Sequence, residues 1–511
     1  MRTGMLIVAL ALVLAGAPVR AATELGRWLP PDPVSWMNFG AAVALDGDLA
    51  AVGAPDTAVA GLNYAGVVYL YRRQADGSWL EEAKLVRPAP EIHDDFGASV
   101  AVSGDRVAVG APDLPFSAFT GTGAVYVYRR QPDGSWVEEA ELHGSTAGVD
   151  SGFGQAVVME GGRLVAGANP ATGGTAYVFE YGGGQWAETD HLQAPGGGFR
   201  WDGFGSSLAL QGDTLLVGAR NLPVDAAVGA GKAFVFVAGA QGWVLDAELL
   251  APAPGDGDGF GAAVAMDAGT VLVGAPDDKV DGILDAGAVY VYTDSPAGWI
   301  YQDRLLAPVA AYGENFGTAV GIQGTVAAVG APGAGLAGPA SGAVYVFRFD
   351  QGWFGEAPFV PADGSAQALF GRSLAMQGDL ALIGAWDDLV PGLVGVGSAS
   401  LFRLDPAFTL IVNPVPPIAG ESADLELRQG SPQALAWVLY STSGTGPTYI
   451  PALGVTVDLS DPRIAAGPLV TDAGGTGSAT VGIPAAARGV PVWIEAVQSG
   501  RVSNLVVTRV Q

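Results

Sequence analysis

Phe96-Gly97-Ala98-Ser99-Val100-Ala101-Val102, a turn at Ser103-Gly104-Asp105, then Val107-Ala108-Val109-Gly110-Ala111-Pro112: with variations, the chain contains this passage seven times. After a loop the same block runs on through Gly123-Ala124-Val125-Tyr126-Val127-Tyr128, a turn at Asp133-Gly134, and Trp136-Val137-Glu138-Glu139-Ala140-Glu141-Leu142. Short β-branched and aromatic runs divided by Gly, Asp and Pro are the pattern of an antiparallel meander, here of four strands. The seven Phe-Gly openings put Phe at 39, 96, 153, 204, 260, 316 and 370, with spacings of 57, 57, 51, 56, 56 and 54 residues. Such a period is too long for a solenoid coil and suits one four-stranded propeller blade with generous loops. The array shows no helical periodicity. The expected fold is all-β, a seven-bladed β-propeller, and function is to be sought on the faces of a ring.

Gly-Ala-Pro recurs at Gly53-Ala54-Pro55, Gly110-Ala111-Pro112, Gly274-Ala275-Pro276 and Gly330-Ala331-Pro332. It degenerates to Gly167-Ala168-Asn169-Pro170, Gly218-Ala219-Arg220 and Gly384-Ala385-Trp386. Small residues let strand ends crowd near a ring axis, and Pro stops the ladder where a loop must leave. Together with the Phe-Gly openings, the motif resembles the FG-GAP repeat of the integrin alpha-chain propeller and of many exported bacterial proteins, over roughly residues 24 to 404. Seven in-register copies are specific for fold; for function they say less.

Six blocks end in a Trp strand, at Trp79, Trp136, Trp186, Trp243, Trp299 and Trp353, whereas the seventh runs out at Ser398-Ala399-Ser400-Leu401-Phe402-Arg403. Ahead of the first Phe-Gly, Glu24-Leu25-Gly26-Arg27-Trp28-Leu29-Pro30-Pro31 holds the place that Lys84-Leu85-Val86-Arg87-Pro88 holds before the second. The N-terminal segment is therefore expected to complete the last blade and lock the ring, as the resemblance to integrin propellers also implies.

Met1-Arg2, the apolar run Met5 to Ala17 and the small-residue site Val19-Arg20-Ala21 read as a signal peptide over residues 1–21. The expectation is a secreted, periplasmic or cell-surface protein with no lasting membrane span. Cysteine is absent, so stability rests on burial, for which the chain is long enough. A net charge of −27 argues against nucleic acid and against a basic membrane-binding surface.

In a meander, alternate loops fall on opposite faces of the ring. Turns from strand one to two and three to four are short, such as Asp46-Gly47-Asp48 and Ala75-Asp76-Gly77. The other loops are long, share one face, and carry Asp56, Asp94, Asp95, Asp113, Asp150, Asp202, Asp256, Asp258, Asp277, Asp278, Asp281, Asp285, Asp387 and Asp388, with few cations besides Arg200, Arg220 and Lys279. Long variable loops on a rigid ring are the place to expect binding, so this acidic face is the expected contact surface for a protein or glycan partner.

Many FG-GAP blades carry an Asp-x-Asp-x-Asp-Gly-x-x-Asp calcium loop between strands one and two. Here it is cut to turns such as Leu45-Asp46-Gly47-Asp48, Ser103-Gly104-Asp105 and Gln211-Gly212-Asp213, so those calcium sites do not carry over. Ca²⁺ needs six to eight oxygens. The candidate for such a site is Asp277-Asp278-Lys279-Val280-Asp281-Gly282-Ile283-Leu284-Asp285, whose carboxylates Asp277, Asp278, Asp281 and Asp285 flank a Gly-permitted turn. No other cofactor is expected.

An enzymatic reading finds little seat. A sialidase-like mouth needs several Arg, and only Arg220 and Arg372, at equivalent inner strand ends of blades four and seven, with Arg200 nearby in a loop, answer to it. Asp76-Gly77-Ser78-Trp79 and Asp133-Gly134-Ser135-Trp136 read as Asp-Gly hairpins. His93, His143 and His191 fall at different places in their repeats, and no Gly-x-Ser-x-Gly elbow is present. The repeated Tyr, such as Tyr69, Tyr71, Tyr126, Tyr128, Tyr290 and Tyr292, read as blade-to-blade packing rather than as a sugar platform.

The propeller is thus assigned to residues 22–405. Residues 406–511 hold seven short alternating segments, Phe408 to Val412, Ala423 to Arg428, Leu435 to Tyr440, Val455 to Leu459, Gly477 to Ile483, Val490 to Val497 and Asn504 to Val510. That pattern suggests a small immunoglobulin-like β-sandwich without the Cys pair, entered through Pro414-Val415-Pro416-Pro417. The expectation for the whole is an exported, non-enzymatic binding, adhesion or scaffold protein using its long-loop face; the alternative is a carbohydrate-binding or carbohydrate-active protein using the ring mouth.

Overall fold

A computed structural model describes residues 22–112, 122–148, 151–169, 173–196, 201–349, 352–356, 358–361, 365–404 and the strands within 409–509. The proposed signal peptide, Asp113, Asp150, Arg200 and Pro414 to Pro417 lie outside the described residues. Two compact units emerge, one of residues 22–404 and one containing residues 405–511.

The first unit is seven four-stranded antiparallel sheets, and no described residue is helical. In blade 1 the strands, called a to d outward from the axis, are Ala42–Asp46, Leu49–Ala54, Val67–Arg73 and Trp79–Leu85. Strand a of each blade touches strand a of the next, and Ala42–Asp46 against Ser373–Gln377 closes the ring. Strands b and c are buried along nearly their whole length, whereas d strands alternate inward and outward residues.

Blade 7 takes Ser373–Gln377, Leu380–Ala385 and Ser398–Leu404 from the end of the array, and its strand d is Ala22–Trp28 from the beginning. The pairing runs from Ala22 opposite Leu404 to Trp28 opposite Ala399. Trp28 then stacks on Tyr71 of blade 1 with centroids 4.4 Å apart and leans on Trp79. Arg27 donates to Asp388 of blade 7, which is 1% exposed, while Asp32 accepts from Tyr69 and Lys84 of blade 1. The N-terminal segment thus fastens the last blade to the first.

The two sequence motifs are halves of one joint. A Cβ built on the Gly of Gly-Ala-Pro would lie about 2 Å from the carbonyl oxygen of the Phe-Gly glycine in the next blade: Gly53 against Gly97, Gly110 against Gly154, Gly330 against Gly371, and Gly384 back against Gly40. Any side chain there would hold the blades apart. The Phe itself is fully buried in all seven copies, worth roughly 1.5–3 kcal/mol each, and seals a core that lies in layers between successive blades.

Outer strands carry a further joint. Six of the c–d ladders slip by one residue, leaving Leu25, Glu82, Glu139, Thr189, Asp246 and Gln302 as bulges. Glu82 accepts from Arg130 of the next blade at 2.5 Å, and Glu139 and Asp246 accept from the indoles of Trp186 and Trp299 at 3.0 Å. The repeated Trp is therefore an apolar blade-to-blade contact, hydrogen-bonded as well at Trp186 and Trp299.

The second unit holds a three-stranded sheet, Thr409–Asn413 with Ser422–Arg428 and Gly477–Gly482, and a larger one ordered Arg463–Val470, Leu435–Ser441, Pro491–Gln498, to which Val506–Arg509 also pairs. Leu425 of one sheet and Val438 of the other are buried, as a small β-sandwich requires. The strand Arg463–Val470 is not announced by the sequence pattern, because Gly467-Pro468 interrupts its alternation. The ladder to Leu435–Ser441 slips at that point, so the Pro is set where no ladder bond is needed.

Candidate functional site

The long-loop face is a regular construction. In every blade the residue before Phe is left-handed: Asn38, Asp95, Gly152, Gly203, Gly259, Asn315 and Leu369. Two residues earlier Trp36, His93, Trp201, Gly257, Gly313 and Gln367 are left-handed too. Those two kinks turn alternate amides toward the preceding blade's long loop, so that His93 and Asp95 donate to Asn63 and Tyr64, and Gln367 and Leu369 to Pro339 and Ala340. Fourteen of the fifteen non-glycine residues with positive φ among those described stand on this face; Ala268 is the exception. Side chains other than Gly, Asn or Asp are strained there, which makes the loops rigid at a cost in stability. Leu369→Asn, copying Asn38 and Asn315, is expected to stabilise the fold by about 1 kcal/mol, measured as a rise in denaturant midpoint at unchanged slope.

The acids of this face are largely turned inward, which corrects the expectation of a broadly acidic surface. Two residues before Phe stand Asp94, Asp202, Asp258 and Glu314, each no more than 6% exposed. They hold loop amides: Glu91 N–H on Asp94 and Gly255 N–H on Asp258, both at 2.5 Å, Ala311 N–H on Glu314 at 3.2 Å, and Gly174 and Phe204 N–H on Asp202. Burial raises the carboxyls of Asp258 and Glu314 above their ordinary range.

The proposed cation loop is likewise divided among separate tasks. Asp278 is buried and accepts from Tyr290 at 2.7 Å and Arg304 at 2.8 Å; Asp277 pairs with Arg220 at 2.9 Å. Asp281-Gly282 forms the tip of a tight turn in which Val280 and Ile283 exchange backbone bonds, both tip residues having positive φ. Ala60 and Asp225 occupy the same tip in blades 1 and 4, so Asp281 is a turn residue, and Asp285, also left-handed, matches Tyr64 of blade 1. Asp277, Asp278, Asp281 and Asp285 do not converge, and among the described residues no group of three or more His, Asp or Glu side chains is disposed to hold a metal ion.

What does stand out on this face is apolar. Of twenty-two exposed large hydrophobic residues among those described, fifteen lie in the long loops, including Trp36, Tyr64, Trp201, Val228, Val309 and Tyr312, and seven on outer strands. The short-turn face has none of them. Trp36 and Trp201 share the third position before Phe, and that repetition was visible in the sequence; their exposure depends on the left-handed kink.

Asp56 lies near the axis on this face, where Asn38 donates to it at 2.5 Å. Burial pushes its carboxyl up to about 6, against the opposing charge of His93. Since the folded-state value exceeds the unfolded one, the protonated form is the stabilised one. Its contribution is complete below about pH 4 and is lost as pH rises through about 6. Asp56→Asn is expected to raise stability by about 2 kcal/mol at pH 7 and by almost nothing at pH 4, as read by thermal unfolding at the two pH values.

Arg220 and Arg372 do sit at the long-loop ends of inner strands, though not at equivalent ones: Arg220 follows strand b of blade 4 and Arg372 precedes strand a of blade 7. Arg372 lies over the ring of Trp386 at 4.8 Å. Trp386 replaces the Pro of Gly-Ala-Pro, a departure whose partner the sequence did not announce.

No helix among the described residues is long and apolar enough to cross a membrane. No curated protein matches the chain. The FG-GAP repeat family matches residues 23–71, 79–128, 186–236, 243–292, 299–347 and 353–402. Each match spans the outer strand of one blade and the three inner strands of the next, and blade 3, with its degenerate Gly167-Ala168-Asn169, is a structural blade that the family pattern passes over. With more than half of its length matched and seven blades in place, the chain belongs to the FG-GAP repeat family.

Proposed function

We propose that this is an exported, non-enzymatic binding or adhesion protein whose contact surface is the long-loop face of the propeller. The observation that carries this reading is the segregation of exposed apolar side chains: fifteen on the long loops and none on the short-turn face. Exposed aromatic and aliphatic groups rimmed by polar ones mark interaction surfaces, and loops tied blade to blade by backbone bonds lose little entropy when a partner binds. The FG-GAP propeller is a binding scaffold, which agrees with this use. Because the carboxylates near the axis serve loop amides and ion pairs, the reading needs no acid–base pair and no metal. The partner is a protein or a glycan.

The test is a paired set of arrays of extracellular proteins and glycans probed with wild type, a Trp36→Ser/Trp201→Ser variant, and an Arg129→Ala/Asp133→Ala variant on the opposite face. Binding should fall at least about tenfold in the first variant, the scale of a lost aromatic anchor, and stay unchanged in the second. Binding that survives the double Trp change and fails with the short-turn change would overturn the assignment.

A further inference from the structure

On the short-turn face, every innermost strand ends in a polar residue that can accept a hydrogen bond. The residue after it is left-handed in all seven blades, Gly in six of them and Ala268 in blade 5. That kink aims its N–H at the blade before. Gly104 donates to Asp46 at 2.7 Å, Gly161 to Ser103 at 2.8 Å and Gly212 to Glu160 at 2.5 Å. Ala268 donates to Gln211 at 3.0 Å, Gly324 to Asp267 at 2.6 Å and Gly378 to Gln323 at 3.3 Å. The last boundary closes side chain to side chain, Gln377 of blade 7 donating to Asp46 of blade 1 at 2.8 Å. Every blade boundary is bonded, and the circuit returns to its start.

Shared groups join these contacts into one object. Asp46 serves two boundaries with one carboxylate, and Asp267 does the same, also accepting from Gln211 of blade 4 at 2.7 Å and from Gln323 of blade 6 at 3.1 Å. Gln211 and Gln323 each accept through Oε1 and donate through Nε2, so a single amide carries the chain onward. Hydrogen bonds in such a series polarise and strengthen one another. Ala268 holds a left-handed backbone that is strained for any residue with a Cβ, and it is the one non-glycine residue among those described to do so away from the long-loop face. Its N–H is a donor in the circuit. The blade-to-blade angles must also add up to one full turn, so slack at one boundary has to be taken up by the others.

We propose that the seven strand-end side chains act as one closed belt, a conformational coupling that sets the blade angles together and shuts the ring at its axis, apart from the strand that shuts it at the rim. Loss of a link at one boundary then loosens boundaries on the far side of the ring.

The belt amides are their own reporters, and the test is amide hydrogen exchange on the full chain. Asp267→Asn keeps the shape of the side chain but sets an NH₂ against a donor. It should quicken exchange at Gly104 and Gly161, which none of the altered bonds touches, about fivefold or more, the factor that one lost bond is worth. Ser103→Ala removes a single bond, leaves the fold in place, and should quicken Ala268 and Gly324 in the same sense. Asp133→Ala, whose bonds stay within its own hairpin to Ser135, should leave all the belt amides unchanged. Melting-point losses of Asp267→Asn and Ser103→Ala should together exceed the loss of the double variant, as coupled sites require. Quickening confined to Ala268, Gly324 and Gly378 in Asp267→Asn, or additive losses, would mean separate latches and overturn the proposal. An equal rise at Val109 and Val329, in the buried second strands, would mean general destabilisation and overturn it too.

Discussion

Removal of residues 23–33 should lower the stability of the propeller by upwards of roughly 6 kcal/mol, the sum of a large aromatic and a buried ion pair discounted for their overlap, and should drop the melting temperature by the order of 10 °C. The segment supplies a whole outer strand, paired along Ser398–Leu404. Without it Trp28 no longer covers Tyr71 and Trp79, and Asp388, 1% exposed, loses Arg27 while keeping its hydroxyl partners Ser365 and Ser398 and the Leu389 N–H. The uncovered edge of Ser398–Leu404 also becomes a template for pairing with a second chain. Thermal unfolding and light scattering read the two effects separately. The single change Trp28→Ala should account for about half of the loss. An unchanged melt after the deletion would mean that the ring is held by its inner strands alone.

Gly330→Ala should cost about 3 kcal/mol or more, far beyond the usual penalty of one added methyl. Its Cβ would fall 2.0 Å from the Gly371 oxygen and 3.2 Å from the Gly371 Cα, both main-chain atoms of the next blade that no rotamer change can move aside. Gly47→Ala is the matched control: its φ is +61°, and nothing lies within 4 Å of the added atom, so its cost is that of a left-handed alanine alone, about 1 kcal/mol. Equal losses at the two positions, measured by chemical denaturation, would refute the steric account of the Gly-Ala-Pro motif.

The ring was legible because Phe-Gly and Gly-Ala-Pro are answers to one geometric demand repeated seven times. Gly53 cannot vary without moving Gly97, so periodicity survives in the letters. The face was less legible, since an Asp in a loop looks the same whether it points to water or to an amide. Asp94 and Asp258 have the sequence setting of surface acids, yet each folds back onto an N–H three residues earlier. Asp281 and Asp285 have the composition of a cation loop, and it is backbone handedness, not composition, that assigns them to kinks. Trp386 carried a signal in its replacement of Pro, but its meaning depends on Arg372 lying against it, a contact between residues that no local pattern links. In the second unit, Gly467-Pro468 hid a strand that a slipped ladder accommodates.

The pairing of Ala22 with Leu404 has a mechanical meaning. Tension applied between the start of the first strand and the chain leaving the propeller would open that ladder like a zipper, one pair after another, at low force. Tension entering only through Leu404, as when the propeller grips a partner and is tethered from its C-terminal side, meets Ser398–Leu404 bonded on both flanks, by Leu380–Ala385 and by Ala22–Trp28. Both ladders must then slide at once. An attachment protein anchored by that end would yield late, whereas the same ring anchored by both ends would come apart early.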